Sequence, residues 1–280
     1  MSPGIEYALG AMVCFGLGDL IYKRGSAAGV KPHHLLMLQS WVFMPISVIF
    51  AYLTDTLHFT WATAWGGAAG LCMWVGFYNF AYSLKLGAVS VNAPIFRLSF
   101  IITATLAILL LGEAATRAKL AGIGLALVAS WLLLGGRAQG VTAASLMRVG
   151  LATVSVGVGN LLYKVGLQHG ALGPAMVASQ AFVFVPLGLA FTASVDGRIR
   201  PPAMVWRYST PAALILFAAF GLLAHSLSIG EASVVVPIAQ MGFAVTAVLG
   251  FLVLHEPVTL RKVIGLLCAV IALLSFATAW

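Results

Sequence analysis

The sequence predicts an all-α integral membrane protein of ten transmembrane helices, arranged as two inverted five-helix repeats around a central cavity. Three observations predict this fold: the composition, ten apolar stretches of membrane-spanning length, and a sequence repeat that relates the two halves of the chain. Of the 280 residues, 61% are hydrophobic and only 8% are charged, with a mean hydropathy of +1.05. A soluble globular chain carries roughly 25% charged residues, so the composition excludes a water-soluble protein.

The apolar stretches each have about the 20 residues that a helix needs to cross a bilayer. They cover residues 4–23, 34–53, 61–84, 88–111, 117–136, 147–168, 173–194, 208–229, 232–254 and 260–279. The first stretch has neither a basic segment ahead of it nor a cleavage site, which predicts a retained helix rather than a secretory signal. Little sequence remains for a soluble domain, so any function must lie within the bundle.

The internal sequence repeat begins with GLGDLIYKRG at residues 16–25, which aligns with GVGNLLYKVG at residues 157–166. Later, AYSLKLGAVSVNAPIFR at residues 81–97 aligns with AHSLSIGEASVVVPIAQ at residues 224–240. We therefore divide the chain into a first repeat, residues 1–140, and a second repeat, residues 141–280. Because five crossings are an odd number, the second repeat must lie upside down relative to the first. Inverted repeats of this kind are typical of transporters that work by alternating access.

The charge distribution predicts an orientation in the membrane. The chain has a net charge of +8, and membrane proteins concentrate Lys and Arg in cytoplasmic loops. The loops after odd-numbered stretches hold Lys23, Arg24, Lys31, Lys85, Arg137, Arg148, Arg198, Arg200, Arg207, Arg261 and Lys262, whereas those after even-numbered stretches hold only Arg117, Lys119 and Lys164. We expect a bacterial inner membrane protein with both termini on the non-cytoplasmic side, and no role in binding nucleic acid.

Two motifs recur at matched places in the two halves and carry a resemblance to a known family. The first is G-A-x-S-V-x-x-P, with Gly87, Ala88, Ser90, Val91 and Pro94 in one copy and Gly230, Ala232, Ser233, Val234 and Pro237 in the other. The second is Leu111, Gly112 and Glu113, with the altered copy Leu254, His255 and Glu256. With these motifs and its ten predicted helices in two five-helix halves, the chain resembles EamA-type members of the drug/metabolite transporter superfamily. The resemblance covers essentially the whole chain. The resemblance implies a transporter of small metabolites, in bacteria commonly an exporter of amino acids or related compounds.

Arg97 is the clearest candidate for binding a substrate. It lies about a third of the way into the fourth stretch, and Gln240 occupies the matching place in the ninth. A charge within a membrane span usually faces a cavity or a partner, and a guanidinium group binds a carboxylate through two parallel hydrogen bonds. A structural ion pair or a side chain that reaches toward the surface is the alternative interpretation.

Other polar and aromatic residues are candidates to line the cavity. Gln39 and Gln180 occupy equivalent places, where each amide offers a donor and an acceptor to a zwitterion or bonds neighbouring helices together. The aromatic candidates are Trp41, Trp74, Tyr78, Tyr82 and Phe96. Trp74, Tyr78 and Tyr82 are four residues apart, so they can lie on one face of a helix. Asn79 adjoins them, and His225 aligns with Tyr82. Contact with lipid is the competing interpretation for the aromatic residues.

Four prolines and one charged pair are candidates for gating. Pro45 aligns with Pro186 and Pro94 with Pro237, and a proline kinks a helix because it lacks a backbone donor; packing bends are the alternative to hinges. Asp19 and Lys23 have the i, i+4 spacing that permits an ion pair, either a gate latch or an anchor at a helix end.

Several function classes are disfavoured. No metalloprotease or serine-hydrolase motif is present, and adjacent His33 and His34 should point to different helix faces, so we expect no enzyme, no cofactor and no metal. The acids are Glu6, Asp19, Asp55, Glu113, Asp196, Glu231 and Glu256, and none lies at the centre of a stretch. Facilitated diffusion is therefore preferred to proton antiport, and the family resemblance implies amino acids, of which neutral or aromatic ones are the preferred hypothesis. A lipid-intermediate flippase and a drug-cation/proton antiporter remain alternatives; the expected partners are a small-molecule substrate and the bilayer, with a monomeric chain.

Overall fold

The computed structural model describes residues 3–86, 92, 95–134, 142–197, 199–253 and 258–278, and these residues form α-helices and short turns without a β-strand. The ten helices are α1 Pro3–Ala27, α2 Pro32–Leu53, α3 Ala64–Leu86, α4 Ile95–Leu111, α5 Arg117–Leu134, α6 Ala143–Gln168, α7 Gly173–Asp196, α8 Trp206–Ile229, α9 Ala232–Val253 and α10 Leu260–Ala277. Seven are long and apolar enough to cross a membrane. The all-α membrane fold is confirmed.

The helices pack in pairs that the repeat relates to one another. In the first repeat α1 packs against α8 of the second repeat, and correspondingly α6 packs against α3. Helix α1 also contacts α9, as α6 contacts α4, while α2 meets α7 and α5 meets α10. Each repeat therefore buries its faces mainly against the other, and the two form one bundle.

Two glycines at matched positions allow close helix crossings. A Cβ on Gly16 of α1 would lie 2.7 Å from the carbonyl oxygen of Gly242 in α9, and one on the matching Gly157 of α6 would lie 2.9 Å from that of Ser99 in α4. At the same crossings Thr246 donates to the Gly16 carbonyl at 3.1 Å and Thr103 donates to the Gly157 carbonyl at 2.9 Å. Small residues let helices approach closely in a membrane, and hydroxyl groups then bond across them.

Helices α4 and α9 are both interrupted in the same place. The Met241 N–H bonds three residues back to Ile238, and in α4 the N–H of the matching Leu98 bonds to Ile95, so one tight turn replaces the regular helix. The interruption in α9 comes one turn after Pro237, whose ring disrupts the regular hydrogen bonds of the helix. Pro45 and Pro186 lie inside α2 and α7. Pro94, with most of its motif and the copy Leu254 to Glu256, falls outside the described residues.

We predict that a methyl group at Gly16 destabilises the protein. The Gly16→Ala Cβ meets Val245 Cβ at 2.6 Å and backbone at 2.7 Å, so α1 and α9 must move apart. Overpacking of this kind costs about 1–3 kcal/mol, measured as a lower midpoint of thermal unfolding in detergent. The matched control is Gly150→Ala in α6, where the new Cβ meets no described atom within 4 Å. Equal melting of the two variants would contradict the crossing.

Candidate substrate-binding site

The central polar cluster joins three helices around Arg97. The Arg97 guanidinium pairs with the Asp19 carboxylate of α1, and its other terminal nitrogen lies 3.5 Å from Oε1 of Gln240 in α9. Thr246 of α9 lies 3.4 Å from the same Asp19 carboxylate. Arg97 is only 9% exposed, so it is a buried cation compensated by an acid from another helix.

The interruptions of α4 and α9 determine where this cluster forms. Arg97 directly precedes Leu98, and Gln240 directly precedes Met241, so both polar side chains leave their helices at the break. Broken helices near the middle of a membrane are the usual location of transporter substrate sites, because backbone and side-chain polar groups become available there. The structure thus brings together two of the predicted substrate residues, Arg97 and Gln240, with the predicted gating residue Asp19.

The second repeat supplies the matching amide in place of the acid. Asn160 of α6 aligns with Asp19 and is buried, yet neither polar atom of its side chain has a hydrogen-bond partner among the described residues. Buried amides are normally paired. The duplicated positions therefore carry one charged pair in one half and an unpaired amide in the other.

Gln39 and Gln180 have structural partners. Tyr22 of α1 donates to the Gln39 side chain, and the matching Tyr163 of α6 donates to Gln180. Both contacts join the first two helices of a repeat, and both glutamines are buried. This arrangement agrees with the helix-joining interpretation, although the Gln180 amide nitrogen has no partner among the described residues.

The aromatic candidates divide into separate groups. Trp74 stacks on Tyr78 with ring centroids 5.6 Å apart, Tyr78 lies 5.9 Å from Tyr82, and Phe191 of α7 lies 4.1 Å from Tyr78. Phe96, next to Arg97, instead stacks on Phe80 of α3 at 4.0 Å.

The remaining candidates have described partners outside the Arg97 cluster. Trp41 is 36% exposed and packs on Trp206. Asn79 accepts a hydrogen bond of 2.8 Å from Arg148, and His225 packs edge-on against Tyr7 at 4.2 Å. Only Phe96 among the aromatic candidates directly adjoins the Arg97 cluster in sequence.

Sequence reasoning missed two features of this site and one of a separate polar cluster. It considered an ion pair of Asp19 with Lys23 on one helix and did not predict the pair that Asp19 forms with Arg97 of another helix. It passed over Thr103 and Thr246, although their identity at matched positions was a signal. It also judged His33 and His34 a poor metal pair, whereas both imidazoles reach Asp196. In the first turn of a helix Cβ atoms tilt toward the N-terminus, so neighbouring long side chains can both extend past the helix end.

We predict that Asp19 and Arg97 depend on each other for stability. Asp19→Ala leaves the buried Arg97 guanidinium without its partner, and Arg97→Ala leaves the partly buried Asp19 carboxylate so. Each variant should lower the free energy of unfolding by about 1–3 kcal/mol. The double variant leaves no orphan charge, so its loss should be well below the sum of the two single losses. Denaturant titration in micelles measures this, with the exposed Arg207→Ala as control; additive losses would contradict the pairing.

Comparison with known proteins agrees with this architecture. The model of the EamA-like transporter family matches twice, over residues 2–135 and 144–278. An uncharacterized protein of Methanocaldococcus jannaschii is 28% identical over 124 residues, which are 44% of this chain and 89% of that protein. A solved crystal structure of a protein superposes with a TM-score of 0.84 at 15% identity, covering 98% of this chain and 96% of that one, which shows the shared fold alone. The two family matches together span nearly the whole sequence, and the chain belongs to the EamA-like transporter family.

Proposed function

We propose that this transporter exports neutral or aromatic amino acids by facilitated diffusion, and that the substrate binds by opening the Asp19–Arg97 pair. The observation that carries the proposal is the partly buried contact between these two side chains beside the breaks in α4 and α9. Membership of a transporter family supports a small-molecule substrate, and the chemistry of the pair supports its class.

A zwitterion suits an ion pair because it replaces both partners at once. The carboxylate of an amino acid takes the Arg97 guanidinium in a two-pronged contact, while its ammonium group takes the Asp19 carboxylate. A cation alone would leave Arg97 uncompensated in the bundle, and an anion alone would leave Asp19 so, each at the cost of an orphan buried charge. The pair therefore favours amino acids over cationic drugs.

The neighbouring residues complete the proposed site. Gln240 and Thr246 already lie within 3.5 Å of the charged pair, and the unpaired amide of Asn160 is a further hydrogen-bonding group from the second repeat. Phe96, stacked on Phe80, offers an apolar surface for the substrate side chain. We assign the contacts between the protein and its bound substrate to these residues.

The pair also explains how the empty carrier could return without a proton. Without substrate, Arg97 compensates Asp19, and with substrate the ammonium group does so. The carrier therefore changes conformation, with or without substrate, with no uncompensated charge at Asp19 and Arg97. Transport then needs no coupled ion. In the proposed cycle the two repeats exchange conformations about Pro45, Pro94, Pro186 and Pro237. The basic loops support an orientation with both termini on the non-cytoplasmic side.

We predict that uptake into proteoliposomes requires both charges of the pair. Neutral and aromatic radiolabelled amino acids should enter without a proton gradient, and Arg97→Ala and Asp19→Asn should each reduce uptake at least ~10-fold, because one end of the zwitterion loses its partner. The matched controls, exposed Arg207→Ala and exposed Asp55→Asn, should retain uptake. N-acetylated amino acids and amino-acid amides, each lacking one charge, should compete at least ~10-fold less well than the parent compounds.

The outcomes distinguish the alternatives. Equal competition by the amides and the parent amino acids would exclude recognition of the carboxylate by Arg97. Absence of amino-acid uptake by folded protein would overturn the proposal and direct the same assay to lipid intermediates and to cationic compounds under a proton gradient.

We predict separately that Pro237→Ala slows transport without abolishing binding. Alanine restores the missing N–H donor opposite the Ser233 carbonyl and straightens α9, so the repeats exchange less readily. The control is Pro211→Ala in α8, where the helix also contains a proline but the first repeat has none. Uptake rate and ligand-induced thermal stabilisation are measured together; unchanged rates in the Pro237 variant would remove the hinge from the mechanism.

A further inference from the structure

A second polar cluster lies at the membrane surface that carries the α1–α2 and α7–α8 loops, away from Arg97. His33 and His34 begin α2 of the first repeat, and Asp196 ends α7 of the second. The Oδ2 atom of Asp196 lies 3.2 Å from Nε2 of His33 and closer still to Nε2 of His34. These three atoms all lie within 4.8 Å of one another.

We propose that His33, His34 and Asp196 form a binding site for a divalent transition metal such as Zn²⁺ or Co²⁺. Two imidazole nitrogens and one carboxylate oxygen match the ligands that such ions take, whereas Mg²⁺ and Ca²⁺ prefer oxygen throughout. Tetrahedral coordination at about 2.0–2.2 Å separates neighbouring ligand atoms by ~3.3 Å. The His33 to Asp196 separation already has this value, and His34 needs only a small rotation.

The surroundings leave a route to the site and a free coordination position. A pocket of about 370 Å³ adjoins it and includes His34, Asp196, Lys31 and Arg200 in its lining. With three protein ligands, the fourth position of a tetrahedral ion faces water or a small anion in this pocket. The imidazoles themselves are buried, at 7% and 5% exposure, so an ion is shielded on its inner side.

Lys31, which contacts Asp196, does not block the metal site. Lys31 donates to the other Asp196 oxygen, Oδ1, at 3.0 Å, so it orients the carboxylate and leaves Oδ2 available for the ion. Its side chain is 53% exposed, so the ammonium group can move into solvent when the ion binds. Hydrogen-bonded carboxylate ligands are common in metal sites for this reason.

The ligands come from both repeats, which gives the metal a defined consequence. An ion bridges the start of α2 to the end of α7 and holds this mouth of the bundle together. The opposite mouth has no equivalent, because Asp196 aligns with Asp55 but His33 and His34 align with Pro174 and Ala175. Bound metal therefore stabilises closure on one side only. This last step rests on the proposed transport cycle, while metal binding itself does not.

The first test is titration of metal-stripped, untagged protein with Co²⁺, followed by visible absorption and by thermal unfolding. We expect one Co²⁺ per chain, displaced by Zn²⁺, with a raised melting temperature, since a ligand that binds only the folded state stabilises it. His33→Ala, His34→Ala and Asp196→Asn should each weaken binding at least ~10-fold. The control is His58→Ala, an exposed histidine in the α2–α3 loop.

Metal-free melting of each variant shows whether it is folded, and the wild-type protein alone can overturn the site. Absence of saturable Co²⁺ binding, or equal binding by wild type and His34→Ala, would exclude it. In proteoliposomes, Zn²⁺ should slow wild-type uptake and leave His34→Ala uptake unchanged. Loss of uptake with intact Co²⁺ binding would contradict the transport proposal and leave the metal site standing.

Discussion

The charge of Arg97 is the constraint on which the centre of this bundle depends. A guanidinium buried among helices is costly unless an acid compensates it, and Asp19 of α1 supplies that acid. The contact requires α1, α4 and α9 to meet, which the close crossing at Gly16 and the hydroxyl bonds of Thr246 permit. Packing of small residues and compensation of charge therefore act at the same place.

The duplicated fold provides a symmetric scaffold, and its function depends on where the copies differ. Gly16 and Gly157 make the same crossing, Tyr22 and Tyr163 make the same bond to a glutamine, and α4 and α9 break at the same point. The charged residues do not follow this symmetry: Asp19 aligns with Asn160, and Arg97 aligns with Gln240. The first repeat carries one charged pair, whose equivalents in the second repeat are two amides, and the proposed zwitterionic substrate would bind at this single pair.

Polar side chains also join the two repeats at both ends of the bundle. At the end bearing the α8–α9 turn, Glu113 accepts hydrogen bonds of 2.8 Å from the N–H groups of Ala232 and Ser233, and buried Lys119 pairs with Glu231. The Glu113 contact caps the N-terminus of α9, where a carboxylate satisfies otherwise unpaired donors. At the other end Asp196 joins the repeats through Lys31 and the two histidines. Polar contacts between the repeats are thus described at both mouths.

The sequence predicted what depends on local pattern and missed what depends on how helices meet. Hydropathy located the ten helices, the internal sequence repeat located their duplication, and burial of a lone charge singled out Arg97. The pairing of Arg97 with Asp19 could not be predicted, because the i, i+4 rule relates residues of one helix and these two residues are 78 positions apart. The tyrosine partners of Gln39 and Gln180, and the convergence of His33 and His34 on Asp196, likewise depend on contacts between helices.

The most direct test of the account is an experimental structure of the protein with a transported amino acid bound, compared with the same protein without it. The account predicts that the substrate carboxylate contacts Arg97, that its ammonium group contacts Asp19, and that the direct contact between those two side chains is lost. An amino acid bound elsewhere, with the Asp19–Arg97 contact intact in both structures, would contradict the central claim.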